Sequence, residues 1–224
     1  MRVVCSFEST IALDDVRRAL LTAFAEPSWR DVEALWEGGD ITAAERAERQ
    51  IALIDATDAE LNAFLDEVRI DPAFARFVGW CRNEGMAVSI LSDGVDRFIE
   101  RILTNHGLSR LPIVANELTG SETQRGLMQP WSRTGCAAGS GVCKCDVAVL
   151  ESIDEDLLVY VGAGRSDFCV SARADVLFAR GELAQYAAAR KRGYFAFQTF
   201  DDIAAVLVRL RGPLHGRPVL QVVR

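Results

Sequence analysis

The first strand pattern of this chain is followed by a long interval before the second. Residues 2–7 form a short apolar run typical of a buried strand, and the next convincing run is 86–91. Between them the chain shows helix signals, with apolar residues four apart over 14–24 and capping-box starts at Thr42 and Thr57. A sheet whose second strand comes this late carries an inserted helical lobe.

Strand and helix patterns alternate after the second strand, which predicts a mostly parallel sheet with helices on both faces. The later strand runs are 112–115, 157–161, 176–179 and 194–197. We therefore predict an α/β fold, with a Rossmann-like parallel sheet and a helical cap inserted after the first strand. The expected division is a core of residues 1–13 and 78–212, a helical cap of residues 14–77 and a C-terminal extension of residues 213–224.

The charge and hydropathy of the chain argue against two classes of partner. A net charge of −7 is unlike that of a nucleic-acid binder or of a polybasic membrane contact. No apolar run approaches the ~18 residues that a membrane helix needs, and we see no export signal at the N-terminus. We therefore expect a cytoplasmic protein with no nucleic-acid or membrane partner, and we leave open its assembly as a homodimer.

Three of the six cysteines, Cys136, Cys143 and Cys145, fall in one glycine-rich loop. Without an export signal, free thiols are expected rather than disulfides. A zinc site normally takes four ligands, often with histidines, and His106 and His215 are far away in sequence. Two interpretations of this loop therefore stay open, a metal site and a packed group of thiols.

Polar residues stand at four of the predicted strand ends or helix starts. These segments are Ser6–Thr10, Ser92–Gly94, Lys144 and Gly162–Asp167. In an open parallel sheet, ligands bind beyond the carboxyl ends of the strands, so we expect the four segments to meet there. A hydroxyl, backbone N–H groups and a lysine form a phosphate cradle, and an adjacent carboxylate suits Mg²⁺. The expected ligand is a small phosphorylated or anionic metabolite.

A family resemblance rests on four stretches in their order along the chain, residues 89–96, 141–144, 160–167 and 174–180. Together with the helical insert, they resemble the haloacid dehalogenase superfamily of phosphatases, in its phosphoserine-phosphatase-like branch. Within that branch the chain looks most similar to the 2-hydroxy-3-keto-5-methylthiopentenyl-1-phosphate phosphatases. The resemblance covers about residues 2–205 and implies Mg²⁺-dependent hydrolysis of a phosphomonoester.

The resemblance also implies roles for single residues. The first motif of such phosphatases is Asp-x-Asp-x-Thr, whose first aspartate attacks phosphorus and binds Mg²⁺ and whose second is the general acid and base. Ser6 and Glu8 stand at these two positions and are the candidate catalytic residues. The candidate phosphate-binding residues, with the hydroxyl and the lysine matching the family pattern, are Ser92, Asp93, Gly94 and Lys144.

Three carboxylate positions depart from the family pattern. Ser6 and Glu8 each replace an aspartate, and Ala163 replaces the leading aspartate after the fourth motif's strand, while Asp167 matches the later one. Serine is a weak nucleophile unless a base activates it. Mg²⁺ is usually held by one or two carboxylates and substrate phosphate, so Asp167 is expected to hold it weakly or not at all.

Three functions remain in competition. The first is a phosphatase-like protein, a pseudoenzyme, that keeps the phosphate cradle and has lost the aspartyl-phosphate, Mg²⁺-dependent mechanism. The second is a repurposed hydrolase or lyase that acts on a small phosphorylated metabolite with Glu8 as acid or base. The third is a slow phosphatase in which glutamate does the work of aspartate, and the serine at position 6 makes it the hardest to defend.

Overall fold

The structure is a computed structural model that describes residues 1–150 and 157–211. The predicted C-terminal extension, residues 213–224, lies outside the described residues. In the part of the chain that is described, no helix has the length and apolar character needed to cross a membrane.

The described strands form one seven-stranded sheet in the order β4-β3-β2-β1-β5-β6-β7. Their bounds are β1 (Arg2–Cys5), β2 (Ala87–Val95), β3 (Ile113–Ser121), β4 (Gln124–Met128), β5 (Leu158–Gly162), β6 (Val176–Ala179) and β7 (Phe195–Ala196). All neighbours pair in parallel except β3 and β4, which form an antiparallel hairpin at one edge. The chain runs outward in one direction from β1 to β3 and in the other from β5 to β7, so β1 lies at the topological switch point.

Ten helices flank this sheet in the described residues. They are α1 (Val16–Phe24), α2 (Trp29–Gly38), α3 (Ala43–Ile51), α4 (Asp58–Asp66), α5 (Phe74–Asn83), α6 (Asp96–Asn105), α7 (Lys144–Leu150), α8 (Phe168–Ser171), α9 (Gly181–Ala189) and α10 (Phe200–Arg211). The predicted α/β fold with its parallel sheet is confirmed, and both capping boxes, at Thr42 and Thr57, are present. The sequence patterns did not predict α2, whose N-cap Ser28 makes no side-chain capping bond.

Five helices, α1–α5, lie between β1 and β2, where the sequence predicts an insert. We call α1–α4 the insert, because α5 packs on α10 through Phe74 and Phe77, whose rings contact Phe200. The predicted boundary between residues 77 and 78 falls inside α5. The division into a core and a cap stays a prediction.

The sheet is buried on both faces, which explains why its strands are continuous apolar runs rather than alternating ones. Successive residues of β1 point to opposite faces: Val3 and Cys5 join one hydrophobic cluster, and Val4 joins the other. β1 is fully covered, so its carboxyl end is the place where the chain can turn polar groups toward a ligand.

The second strand is longer than its sequence pattern predicts. The apolar run ends at Leu91, but β2 continues through residues 92–95, and α6 begins at Asp96 with Val95 as its N-cap. The pairing register with β3 shifts between Leu91 and Val95, so the polar residues 92–94 lie in an irregular strand end. Ser92 therefore does not cap α6; its Oγ accepts a hydrogen bond from the N–H of Gly94 at 3.0 Å.

Candidate functional site

The four polar segments meet beyond the carboxyl ends of β1, β2 and β5. After β1, Ser6 still donates its backbone N–H to the carbonyl of Val161 in β5. The chain then turns tightly, with the Phe7 carbonyl accepting three backbone N–H groups and Ser9 at a positive φ of 52°. This turn places the Ser6 side chain against Lys144 and directs Glu8 toward the start of α1.

Lys144 is the centre of the site and joins three of the segments. Its ammonium donates to Asp167 Oδ1 at 2.7 Å, to Ser166 Oγ at 3.0 Å and to Ser6 Oγ at 3.1 Å. The Oδ1 atom of Asp93 lies 3.5 Å away. An ammonium has three protons, so the side chain is fully satisfied within the protein, as a buried cation has to be. Its pKa is raised above the usual value, because Asp167 and Asp93 outweigh the opposing effect of burial.

Asp167 uses both oxygens to build this network. Oδ2 accepts the N–H groups of Ala163 and Gly164 at 2.9 and 3.1 Å, and Oδ1 accepts the hydroxyl of Tyr160 at 2.7 Å as well as Lys144. A carboxylate offers about four acceptor positions, so all of them are occupied. Asp167 is therefore the counter-ion of Lys144 and has no acceptor position free for a metal ion.

Gly162 is required by this arrangement. A Cβ atom at this position would lie 2.5 Å from Oδ2 of Asp167, a distance that real contacts do not reach. The strand therefore approaches the carboxylate closely enough for the two following N–H groups to bind it. Any side chain at position 162 would push the counter-ion of Lys144 out of place.

Asp93 faces the same ammonium from the end of β2. Its Oδ1 accepts the hydroxyl of Ser166 at 3.0 Å, and its carbonyl accepts the side-chain amide of Asn116 at 2.7 Å. Burial raises the pKa of Asp93, but Lys144 and the Ser166 hydrogen bond lower it by more, so that the net shift is downward. The carboxylate is thus ionised at neutral pH and lies within the phosphate cradle that residues 92–94 and Lys144 were predicted to form.

Glu8 lies apart from this network and has a different electrostatic environment. Its Oε2 accepts the backbone N–H of Val16, the first residue of α1, at 2.7 Å. Burial, with repulsion from Asp15 and Asp93, raises the pKa of Glu8 to about 8. At neutral pH the side chain is therefore mostly protonated, and a pKa this close to neutrality suits an acid or base catalyst.

An apolar cavity opens beside Glu8, between the sheet and the insert. The space in it that a water-sized molecule can occupy is about 30 Å³, and Glu8, Asp93 and Gly94 form its wall on the side of the cradle. The remaining wall is mostly aliphatic and aromatic and comes from the insert (Leu20, Leu21, Ile51, Ile54) and from α6 (Phe98, Ile99, Ile102). An apolar wall beside a polar cradle suits a small ligand with an apolar part and an anionic group, and the cavity has to widen to admit one because it is smaller than such a ligand.

Arg17 brings a positive charge to the cavity from the first turn of α1. It donates to Gln50 Oε1 at 2.5 Å and to Glu33 Oε2 at 3.2 Å. Burial alone lowers the pKa of Arg17, but Asp15 and Glu33 raise it by more, so it remains charged. The insert therefore contributes a fixed cation as well as apolar surface.

The predicted site residues are all at one end of the sheet, and they divide into two groups. Glu8, Asp93 and Gly94 line the cavity. Ser92, Lys144 and Asp167 are completely buried and Ser6 is only 3 % exposed, so these four do not face the cavity. The structure thus brings the predicted residues together, and the polar side chains of the buried group are hydrogen-bonded to other groups of the protein.

Sequence reasoning did not identify Tyr160, Ser166, Arg17 and Gln50 as site residues. Tyr160 reads as one more apolar position in a buried strand, and only its contact with Asp167 gives it a polar role. Ser166 lies between two residues that the motif did single out, which is the signal that would have found it. Arg17 and Gln50 are ordinary polar residues of two amphipathic helices, and no local pattern distinguishes them.

Comparison with known proteins shows the family. A model of the putative phosphatase family matches residues 41–194, more than half of the chain. The chain is 27% identical over 210 residues to a 2-hydroxy-3-keto-5-methylthiopentenyl-1-phosphate phosphatase of Brevibacillus brevis, with 92% of this chain and 95% of that protein covered. A protein of the same name from Exiguobacterium sp. is 28% identical over 208 residues, with 92% and 96% covered.

Solved structures show the same fold. A substrate-bound phosphoserine phosphatase complex superimposes with a TM-score of 0.66 at 14% identity, covering 92% of this chain and 97% of that one. A haloacid dehalogenase family hydrolase from Salmonella enterica serovar Typhi gives a TM-score of 0.70 at 15% identity, covering 95% and 72%. The resemblance predicted from the four motifs is confirmed. The chain therefore belongs to the putative phosphatase family.

Proposed function

We propose that this protein binds a small phosphorylated metabolite at the cradle formed by Ser92, Asp93, Gly94 and Lys144, and no longer cleaves it by the aspartyl-phosphate route. The observation that carries this proposal is the hydrogen bond from Lys144 to Ser6. A neutral hydroxyl stands where the family has its nucleophilic carboxylate, and its partner Lys144 cannot act as a base, because Asp167 and Asp93 raise the pKa of the ammonium. Serine without a base is a weak nucleophile.

The donor set does not fit a resident Mg²⁺ ion. Ser6 and Ala163 offer no carboxylate, and all acceptor positions of Asp167 are used by Lys144, Tyr160 and two backbone N–H groups. Mg²⁺ needs near-octahedral oxygen coordination, usually with one or two carboxylates beside the substrate phosphate. We therefore expect Mg²⁺ binding to be weak or absent.

Lys144 and Ser92 supply the attraction for the anion. To reach an incoming phosphate, Lys144 exchanges its bond with the neutral Ser6 hydroxyl, while Asp167 continues to hold it. The apolar cavity beside Glu8 receives the rest of the ligand. A phosphate ester with a short apolar tail fits both parts, and the substrate in the relatives' name, 2-hydroxy-3-keto-5-methylthiopentenyl-1-phosphate, is the first ligand to test.

The insert is the proposed cap of this site. Lys144, Ser92, Ser6 and Asp167 are almost completely shielded from solvent, so an anion reaches them only when the insert moves away from the sheet. Such closure excludes water from a site and selects the ligand by the shape of the cavity. We further propose that the protein acts in the cytoplasm, and light scattering tests the homodimer that the sequence leaves open.

The test is orthophosphate release from a panel of small phosphomonoesters, with and without Mg²⁺. The wild type is compared with the Ser6→Asp/Glu8→Asp/Ala163→Asp variant, which restores the family carboxylates. We expect no release from the wild type and Mg²⁺-dependent release from the variant. Mg²⁺-dependent release by the wild type itself would overturn the proposal.

A second candidate function is acid or base catalysis by Glu8, as in a lyase or a metal-independent hydrolase. The pKa of about 8 and the position on the cavity wall favour it, because pure loss of function does not require a carboxyl group there. Glu8→Gln is then expected to abolish turnover and leave ligand affinity within about twofold, since the amide has the same shape. Equal turnover in the wild type and Glu8→Gln would eliminate this candidate.

A further inference from the structure

We propose that the thiols of Cys136, Cys143, Cys145 and Cys169, which converge on one side of Lys144, form a structural zinc site. These four residues are called the thiol cluster below. The site is separate from the phosphate cradle, and the inference does not depend on which function the cradle has. It resolves the choice between a metal site and packed thiols in favour of the metal.

Three of the sulfur atoms already have the spacing of a metal site. The Sγ atoms of Cys136, Cys143 and Cys145 all lie within 4.8 Å of one another, and those of Cys143 and Cys145 are 3.5 Å apart. Zn–S bonds of about 2.3 Å in a tetrahedron place sulfur atoms roughly 3.8 Å apart. Shifts of about 1 Å or less therefore turn this triangle into one face of a tetrahedral site.

The fourth ligand is Cys169, which the sequence analysis did not connect with the loop. Its side chain lies near enough to Cys145 and Cys136 to influence the pKa of the Cys145 thiol and to be influenced by both residues. It lies outside the 4.8 Å triangle, on α8, which packs against α7. Cys169 is half-buried and its Sγ contacts the carbonyl of Ser166 at 3.9 Å, a weak bond that it can exchange for a metal.

The chemistry of the thiol cluster selects a soft metal. Only sulfur atoms make up the group, and the nearest carboxylate along the chain, Asp146, is held by Arg133 at 2.8 Å. Four thiolates with tetrahedral spacing are the ligand set of structural zinc, whereas Mg²⁺ requires oxygen. All four cysteines are free thiols in the structure and are therefore available as ligands.

The position of the thiol cluster indicates what the metal does. Cys143 and Cys145 flank Lys144, and Cys136 lies in the loop of residues 129–143 that precedes it. This loop also contacts the insert: the Gly139 carbonyl accepts the N–H of Ala44 at 2.8 Å, and Gln129 donates to the Ala44 carbonyl at 2.9 Å. Zinc therefore fixes the loop that joins the start of α3 to the lysine of the cradle.

The first measurement is the metal content of the purified full-length protein, followed by titration of the metal-free protein with Co²⁺. We expect one zinc per chain and the absorption spectrum of tetrahedral cobalt with thiolate charge-transfer bands. Loss of even an outer-shell partner costs about 10–100-fold in metal affinity, so Cys136→Ser and Cys169→Ser are each expected to lose more than ~100-fold. Cys81→Ser is the matched control, a buried cysteine of α5 outside the cluster, and keeps full affinity.

Several results would overturn the proposal. One is purified protein that contains no zinc and shows no thiolate bands when titrated with cobalt. Another is a disulfide between Cys143 and Cys145 in the freshly isolated protein. The third is a zinc affinity of Cys169→Ser equal to that of the wild type. Alkylation of the wild type covers the case in which a serine variant does not fold. Added zinc is expected to protect the four cluster thiols together, and unchanged alkylation of these thiols also contradicts the site.

Discussion

At the scale of single residues, the site is a buried cation held by fixed partners. Lys144 and Asp167 are both completely buried and 2.7 Å apart. Such a pair contributes little net stability compared with apolar side chains, but removal of one partner leaves the other charge unpaired in the interior. The pair therefore makes the fold depend on a residue whose proposed role is ligand binding.

Lys144→Met is expected to lower the free energy of unfolding by about 3–5 kcal/mol, because Asp167 remains buried without its counter-ion. Urea denaturation monitored by circular dichroism measures the change. Lys191→Met is the matched control, since Lys191 is the other lysine of the chain and is exposed. The control is expected to stay within about 0.5 kcal/mol of the wild type, and equal stability of both variants would contradict the buried pair.

Glu8 predicts a pH dependence of stability. Its pKa is about 8 in the folded protein and near 4.5 in the unfolded chain. At a pH between these two values, Glu8 is protonated in the folded state and ionised in the unfolded state. The unfolded state then binds fewer protons, and stability falls as pH rises through this window, by about 1.4 kcal/mol per pH unit. The test measures the free energy of unfolding of the wild type and of Glu8→Gln between pH 5 and pH 8. The stability of the variant relative to the wild type is expected to grow with pH. A difference in stability that does not change with pH would contradict the raised pKa.

Asp93 limits the affinity of the proposed cradle for anions. Its ionised carboxylate lies 3.5 Å from the Lys144 ammonium and repels an incoming phosphate. Asp93→Asn keeps the shape and removes the charge, so calorimetry with inorganic phosphate is expected to show about tenfold tighter binding. Asp201→Asn removes the same charge from an exposed ion pair with Arg76 and is expected to change little. An unchanged affinity in Asp93→Asn would place the anion elsewhere.

At the scale of secondary-structure elements, a stacked trio of side chains joins the insert to the sheet. Trp36 of α2 lies beneath the guanidinium groups of Arg46 in α3, 3.7 Å from the ring centroid, and of Arg165 beyond β5, at 4.7 Å. The second contact is one of the links between the insert and the loop that carries Asp167. It connects α2 with the residue two positions before Asp167.

Trp36→Ala is expected to loosen the insert by about 1–2 kcal/mol, because each cation–π contact contributes on the order of 0.5–1 kcal/mol at partly exposed sites. Hydrogen–deuterium exchange measures this as faster exchange in α1–α4 with no change in α5 and α10. Trp36→Phe retains an aromatic face and is expected to restore most of the protection. Uniformly faster exchange over the whole chain would show that Trp36 stabilises the fold and not the position of the insert.

At the scale of the whole molecule, the strand order determines which loops can meet. β1 lies between β2 and β5. The segments that follow these three strands are therefore neighbours in space, although they are far apart in sequence. α7 begins at Lys144, which bonds to side chains that follow β1 and β5. The result is a polar site inside a closed apolar surround, where charges interact strongly and pKa values move far from their usual range.

The sequence alone was sufficient for the features that local physics controls. Strands buried on both faces read as apolar runs, the capping boxes at Thr42 and Thr57 begin two helices, and the motif order indicated a phosphatase family. It also located Ser6, Glu8, Ser92, Lys144 and Asp167 at one end of the sheet. Each of these predictions depends on neighbours within a few positions along the chain, or on a spacing that can be read directly.

The tertiary structure decided how those residues act, because the interactions that matter join distant parts of the chain. Asp167 became a counter-ion through Tyr160 and Lys144, and Glu8 acquired a pKa near 8 through burial beneath the insert. Cys169 comes near Cys145 because α8 packs on α7. Desolvation and charge pairing depend on what surrounds a group in space, and no local pattern carries that information.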